Sequence, residues 1–159
     1  MANLKIQYET AQNISITLAG LAATAARGST YIDNSTDLYL DASVQLSIKL
    51  ATGTPAADKA VFIWFYGSND GTRFTDNSLG TNASVTMRVP TNFRGPFIIS
   101  TPDAGGLVYT AVIASVANFF GGVLPSRWGI IVENKTGITL DATEANHSKS
   151  YRGIVLTSS

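Results

Sequence analysis

The clearest pattern in the chain is the alternation Asp41-Ala42-Ser43-Val44-Gln45-Leu46-Ser47-Ile48-Lys49-Leu50. Val44, Leu46, Ile48 and Leu50 fall on one face, and Ser43, Gln45, Ser47 and Lys49 fall on the other. This period of two marks a strand with one dry and one wet side. Residues 13–18, Asn-Ile-Ser-Ile-Thr-Leu, alternate in the same way, as do residues 84–89, which stop at Pro90 because proline cannot donate to a central ladder. A different signal comes from Val61-Phe62-Ile63-Trp64-Phe65-Tyr66, an unbroken apolar run of β-branched and aromatic residues. It predicts a strand covered on both faces, by a second sheet on one side and by a loop, subunit or partner on the other. The following Gly67-Ser68-Asn69-Asp70-Gly71 supplies a sharp turn.

Further strands are predicted at residues 72–75, 97–100, 107–113, 128–133, 138–140 and 153–156. Residues 31–36 end in a turn built by Asn34 and Ser35, and residues 134–137 form another. Residues 19–28 are rich in small side chains and read as a close-packed or extended connector rather than a helix. Residues 115–121 break the period of two. Ser115 is placed to cap one helical turn, and Gly121 to end it in the left-handed conformation. Eight to ten short strands and a single helical turn predict an all-β fold, an antiparallel β-sandwich of jelly-roll type. One domain spans residues 1–159, with residues 1–30 a candidate extended N-terminal arm or connector.

Composition narrows the partners. Charged residues are 14% of the chain against an ordinary ~25%. Eleven basic residues balance eleven acidic ones, so no basic patch is expected for nucleic acid or an anionic membrane. A weakly charged surface does little to keep molecules apart, which favours contact with other protein. No cysteine is present, so neither a disulfide framework nor a thiolate metal site is available. The opening Met-Ala-Asn-Leu-Lys lacks the pattern of a signal peptide, and no apolar run approaches the ~20 residues of a spanning helix. Synthesis in a cytoplasm is the expectation. The Asn-x-Ser/Thr triplets at Asn13, Asn34, Asn82, Asn134 and Asn146 then read as a by-product of an Asn-, Ser- and Thr-rich β-protein.

Candidate chemistry is sparse. His147 is the only histidine and lies beside Asn146, Ser148 and Lys149 in what reads as a polar surface loop. Glu133 with Glu144, or Asp70 with Asp76, are the pairs a glycosidase would need. Each of these residues sits beside a turn signal, where capping and solubility explain it. Residues 66–71 hint at a calcium loop, but Tyr66 and Ser68 stand where acidic ligands belong. Trp64, Tyr66 and Trp128 are candidates for a sugar-binding aromatic platform. Trp64 reads as core, and Trp128, at the start of a strand, as half-exposed. No catalytic residue, cofactor or metal is expected.

Several phrases taken together resemble a family of small structural proteins of tailed bacteriophages. They are Arg27-Gly28-Ser29 with Ile32-Asp33-Asn34, Leu38-Tyr39-Leu40-Asp41, and Tyr66-Gly67-Ser68-Asn69-Asp70-Gly71. Phe120-Gly121-Gly122-Val123-Leu124-Pro125, Trp128-Gly129-Ile130-Ile131-Val132-Glu133-Asn134, and Asn146-His147-Ser148-Lys149 with Tyr151-Arg152-Gly153 follow in order. The resemblance implies a virion component, a capsid decoration or cement protein that bridges capsid subunits and is no enzyme. The major capsid protein would be its partner, and the capsid surface its location. A tail, baseplate or carbohydrate-binding role is the alternative. A homo-oligomer is expected, a trimer ahead of a dimer. Leu21 and Arg27 in the small-residue stretch, with Tyr31, Trp128 and His147, are the candidate interface residues.

Overall fold

The computed structural model describes residues 3–56, 58–88 and 94–158. Eleven strands appear in chain order: β1 Leu4–Tyr8, β2 Gln12–Asn13, β3 Ala26–Gly28, β4 Ile32–Asp33, β5 Asp41–Lys49 and β6 Ala60–Ser68. They continue as β7 Ala83–Ser84, β8 Phe97–Ser100, β9 Val108–Ile113, β10 Arg127–Asn134 and β11 Ser148–Ser158. One sheet runs β1-β11-β5-β9, with β2 also on β11. The other runs β7-β3-β10-β6-β8, with β4 also on β10. Every pairing is antiparallel.

This order is a jelly roll. Of the main strands β1, β3, β5, β6, β8, β9, β10 and β11, one sheet takes the first, last, third and sixth. The other sheet takes the second, seventh, fourth and fifth. The chain crosses between sheets at nearly every connection, so each sheet's inner face is closed by residues distant in sequence.

Alternation decides which side chains fill the space between the sheets. Ala42, Val44, Leu46, Ile48 and Leu50 point inward from β5 and its end, Val61, Ile63 and Phe65 from β6, and Trp128, Ile130 and Val132 from β10. The predicted two-sided burial of β6 is partial. Its inner face is closed by the opposite sheet. On the outer face Tyr66 is fully buried beneath Phe74 and Val85, while Phe62 and Trp64 are half-buried.

Within residues 3–30, β1, β2 and β3 join the sheets, and Ile14, Ile16 and Leu18 enter the core. The alternation at 13–18 survives as burial without a continuous ladder. Its N–H groups find single partners instead: Ile14 donates to the Lys149 carbonyl, and Thr17 to Asn82 Oδ1. Residues 19–25 form an irregular connector as expected, turning at Gly20 and Thr24, both at positive φ.

Three strand expectations are corrected. Residues 72–75 do not return as a strand, because the Asp70 carboxylate holds the Thr72 and Arg73 N–H groups in a turn. Phe74 then packs edge-on to Tyr66, with ring centroids 5.7 Å apart. Of residues 84–89, only Ser84 lies in a strand, beside Arg27 of β3; Val89 and Pro90 fall outside the described residues. Residues 138–140 contribute a single bridge, Leu140 to Leu50, in place of a strand. The helical turn at 115–121 is present as a 3-10 turn over Ala117–Phe120, with Ser115 Oγ accepting from Asn118 N at 3.3 Å and Gly121 left-handed at φ 83°. It is not alone: α1, Asn34–Asp37, is capped by the Asp33 side chain, and 3-10 turns cover Thr75–Asn77 and Glu144–Asn146. No described helix is long and apolar enough to cross a membrane.

Candidate interaction surfaces

Trp128 is fully buried, which corrects its expected half-exposure. Its register opposite Gly67 on β6 and Ile32 on β4 puts it on the inner face of β10, edge-on to Tyr151 with centroids 5.5 Å apart. Trp128 shares its face with Ile130 and Val132 at a spacing of two, but Ile131 between them interrupts the polar alternation that would have marked that face in the sequence. It offers no platform for sugar or partner.

His147 is also no surface residue, being only 5% exposed. Its Nδ1 accepts the Lys49 N–H at 3.3 Å, and its Nε2 lies 3.0 Å from the Asp141 carbonyl, which only an N–H at Nε2 can satisfy. The ring bridges β5 and the 141–147 loop. Nothing in the local sequence reveals this, since both partners are backbone groups.

Leu21 packs half-buried against the core, and its carbonyl accepts from Leu140 N and from Asn134 Nδ2. Arg27 reaches across to Asn82, donating from Nε to Oδ1 at 2.7 Å and from a terminal nitrogen to the carbonyl at 3.2 Å. Both are structural ties. Tyr31 is 36% exposed, stacks on Phe74 at 5.6 Å, and carries the Arg127 guanidinium 5.5 Å from its ring centroid. Arg127 pairs in turn with Asp33 at 3.3 Å. Of the five expected interface residues, Tyr31 is the one that is exposed.

Each carboxylate of the two candidate pairs is engaged by partners of its own. Glu133 accepts from the Trp64 indole at 2.9 Å and pairs with Lys135 at 3.1 Å. Glu144 instead caps the N–H groups of Leu18 and Ala19 at 2.8 and 2.7 Å and pairs with Lys149. Burial raises the Glu144 pKa, but Lys149 and the two N–H groups outweigh it and leave the carboxyl lowered. Asp76 is buried and accepts from Thr75 Oγ1, whereas Asp70 organises its own turn at the surface. The Arg73 and Thr72 N–H groups and the Ser68 hydroxyl hold the Asp70 carboxyl at about 2. Among the described residues, no cluster of His, Asp and Glu is suited to a metal ion.

Asp141 behaves like Asp70. The Asn146 amide, the Thr143 N–H and the Lys49 ammonium hold its carboxyl at about 2, below the ordinary 3.8. A folded-state value below the unfolded one stabilises the fold above the unfolded pKa, and that contribution is lost as pH falls. Stability should therefore decline between about pH 4 and about pH 2. Asp141→Asn should flatten this acid limb. A carboxyl NMR titration of Asp141 with a midpoint near its ordinary value would contradict the assignment.

Exposed large apolar side chains occur singly at Leu79, Ile98 and Val123, and in rows at the edges of the first sheet. On β1, Leu4, Ile6 and Tyr8 are 71%, 66% and 55% exposed, and Leu156 opposite Ile6 is exposed too. Leu4, Ile6, Tyr8 and Leu156 form this apolar rim; the exposed Leu38 and Leu40 lie on the other side of β11, where Leu40 donates its N–H to Ile154. At the opposite edge, Leu107, Val108 and Val112 are exposed along β9. Sequence reasoning missed β1, although Leu4-Lys5-Ile6-Gln7-Tyr8 alternates as a strand should. Comparison with family models, curated proteins and solved structures finds no match to this chain.

Proposed function

We propose that the protein is a structural component of a tailed-phage virion, a decoration or cement protein that binds the capsid surface and bridges neighbouring subunits. The observation that carries this reading is the pair of apolar edges, β1 with its rim and β9, on opposite sides of one sheet. A bridging protein needs two contact surfaces held apart by a body that does not bend, and a jelly roll with a closed core supplies that body. Scattered exposed apolar residues are ordinary, but rows of them along two sheet edges mark protein contacts. The balanced charge and the phage-like phrases point the same way. The jelly roll itself hosts many functions and adds no weight.

Each edge is small, so a single contact would be weak, and the lattice would multiply it through linked contacts. Purified particles should carry the protein at a copy number set by the lattice, visible in an electron-microscopy map of intact virions. Particles lacking it should lose their contents at a lower temperature and recover on adding the protein back. Replacing both Val108 and Val112 with Asp should weaken shell binding while leaving the fold intact, because both side chains are exposed. Absence from mature particles would end this reading.

A further inference from the structure

We propose that β1 pairs with β1 of a second copy about a twofold axis, joining the two β1-containing sheets into one. This inference concerns the chain in solution; with β1 covered by the second copy, the two β9 edges of the dimer are the surfaces left to bridge a capsid.

Among the described residues strand β1 hydrogen-bonds to β11 alone, which leaves one side of its backbone without a partner strand there. The direction of the free groups follows from the ladder. Glu9 donates its N–H to the Gly153 carbonyl at 2.9 Å, next in register to Tyr8 opposite Ile154. Backbone groups alternate along a strand, so those of Glu9, Gln7 and Lys5 face β11. Those of Leu4, Ile6 and Tyr8 face outward. Natural sheets blunt such an edge with short strands, prolines, bulges or inward charges. The second sheet does so: β7 is two residues long, and β8 follows Pro96. Strand β1 spans five residues and contains no proline; its one charged residue, Lys5, lies on the face opposite Leu4, Ile6 and Tyr8, which stand exposed.

The sequence of β1 is complementary to its own reverse. Antiparallel pairing of outward groups requires even-numbered residues to oppose even-numbered ones. One such register sets Ile6 opposite the partner's Tyr8 and Gln7 opposite the partner's Gln7. It also sets Lys5 opposite the partner's Glu9, and the twofold repeats both the Ile6–Tyr8 and Lys5–Glu9 pairs. The charged pairs then occupy non-hydrogen-bonded positions, where cross-strand side chains approach most closely. Within its own chain, Lys5 forms no ion pair among the described residues. The apolar side chains Leu4, Ile6, Tyr8 and Leu156 continue as one face across the axis. A twofold of this kind is isologous and closes, so a dimer is its product.

Sedimentation equilibrium over a concentration series at low salt tests this directly. The wild type should dimerise. Lys5→Glu sets a carboxylate opposite the partner's Glu9, and Glu9→Lys sets an ammonium opposite the partner's Lys5. Each single variant should raise the dissociation constant by about tenfold or more, since two pairs turn from attractive to repulsive. An equimolar mixture of the two single variants should recover dimers, because each mixed dimer restores both opposite-charge pairs. The double variant should recover them too. Ile6→Pro removes an outward N–H without touching the bonds to β11 and should leave a folded monomer. A wild type that stays monomeric at high concentration overturns the proposal. So does a trimer, or dimerisation untouched by the charge reversals. A dimer that ignores capsids would overturn the decoration role and leave this pairing standing.

Discussion

Asn134→Ala is expected to lower the unfolding free energy by roughly 3 kcal/mol, from about 1–3 kcal/mol for one buried N–H left without an acceptor and a smaller loss at three groups that each keep a second bond. Asn134 ends β10 and is fully buried. Its Nδ2 donates to the carbonyls of Leu21 and Ile138 at 2.9 and 2.8 Å. Its Oδ1 accepts from the Thr136 N–H and hydroxyl at 3.0 and 2.7 Å. One side chain thus ties the connector before β3 to the turn after β10. Alanine leaves the buried Thr136 N–H without an acceptor, while the Leu21 carbonyl keeps its bond from Leu140 N and the Thr136 hydroxyl keeps its bond to the Ile138 carbonyl. Urea denaturation measures the loss, and a value under about 1 kcal/mol, typical of a single ordinary hydrogen bond, would refute this account. Asn134→Asp gives a sharper readout. It keeps the acceptor for Thr136 but aims a carboxylate at two carbonyl oxygens, which favours the protonated form in the folded state. A raised folded-state pKa means that the deficit relative to wild type narrows as pH falls. The same burial disposes of the Asn-x-Thr triplet here as a glycan acceptor in the folded protein.

Trp128→Ala should cost about 3–5 kcal/mol, the range for removing a fully buried large aromatic side chain. The indole fills the inner face of β10 against Tyr151, in the same layer as Ile130 and Val132. Trp128→Phe should cost less, since it keeps an aromatic ring edge-on to Tyr151. Thermal and chemical unfolding of both variants would measure the difference. If Trp128→Ala leaves stability unchanged while abolishing binding to any partner, the buried placement is wrong. The loss expected here is of the fold, and any effect on binding should track the unfolded fraction.

Side chains read as surface features in the sequence became core features for a shared reason. Trp128, His147 and Asn134 each stand beside turn or loop residues, where local context suggests exposure. Their burial comes from segments far along the chain: β6 beside Trp128, β5 beside His147, and the 19–25 connector beside Asn134. Glu144 shows the same effect, since the groups it caps, at Leu18 and Ala19, lie more than a hundred residues away.

Patterning between near neighbours was enough to specify a sandwich of antiparallel strands, because period-two alternation and turn chemistry are local properties of a chain. It located β5, β6, β8, β9 and β10 and the left-handed Gly121 that ends the 117–120 turn. Strand order, the partners of the buried polar groups and the identity of the open edges emerged only on folding. Those depend on which distant segments meet, and alternation is blind to that. The β1 edge lies between the two: its pattern is written in Leu4-Lys5-Ile6-Gln7-Tyr8, but its freedom to pair exists only because β11 takes one side and no described strand takes the other.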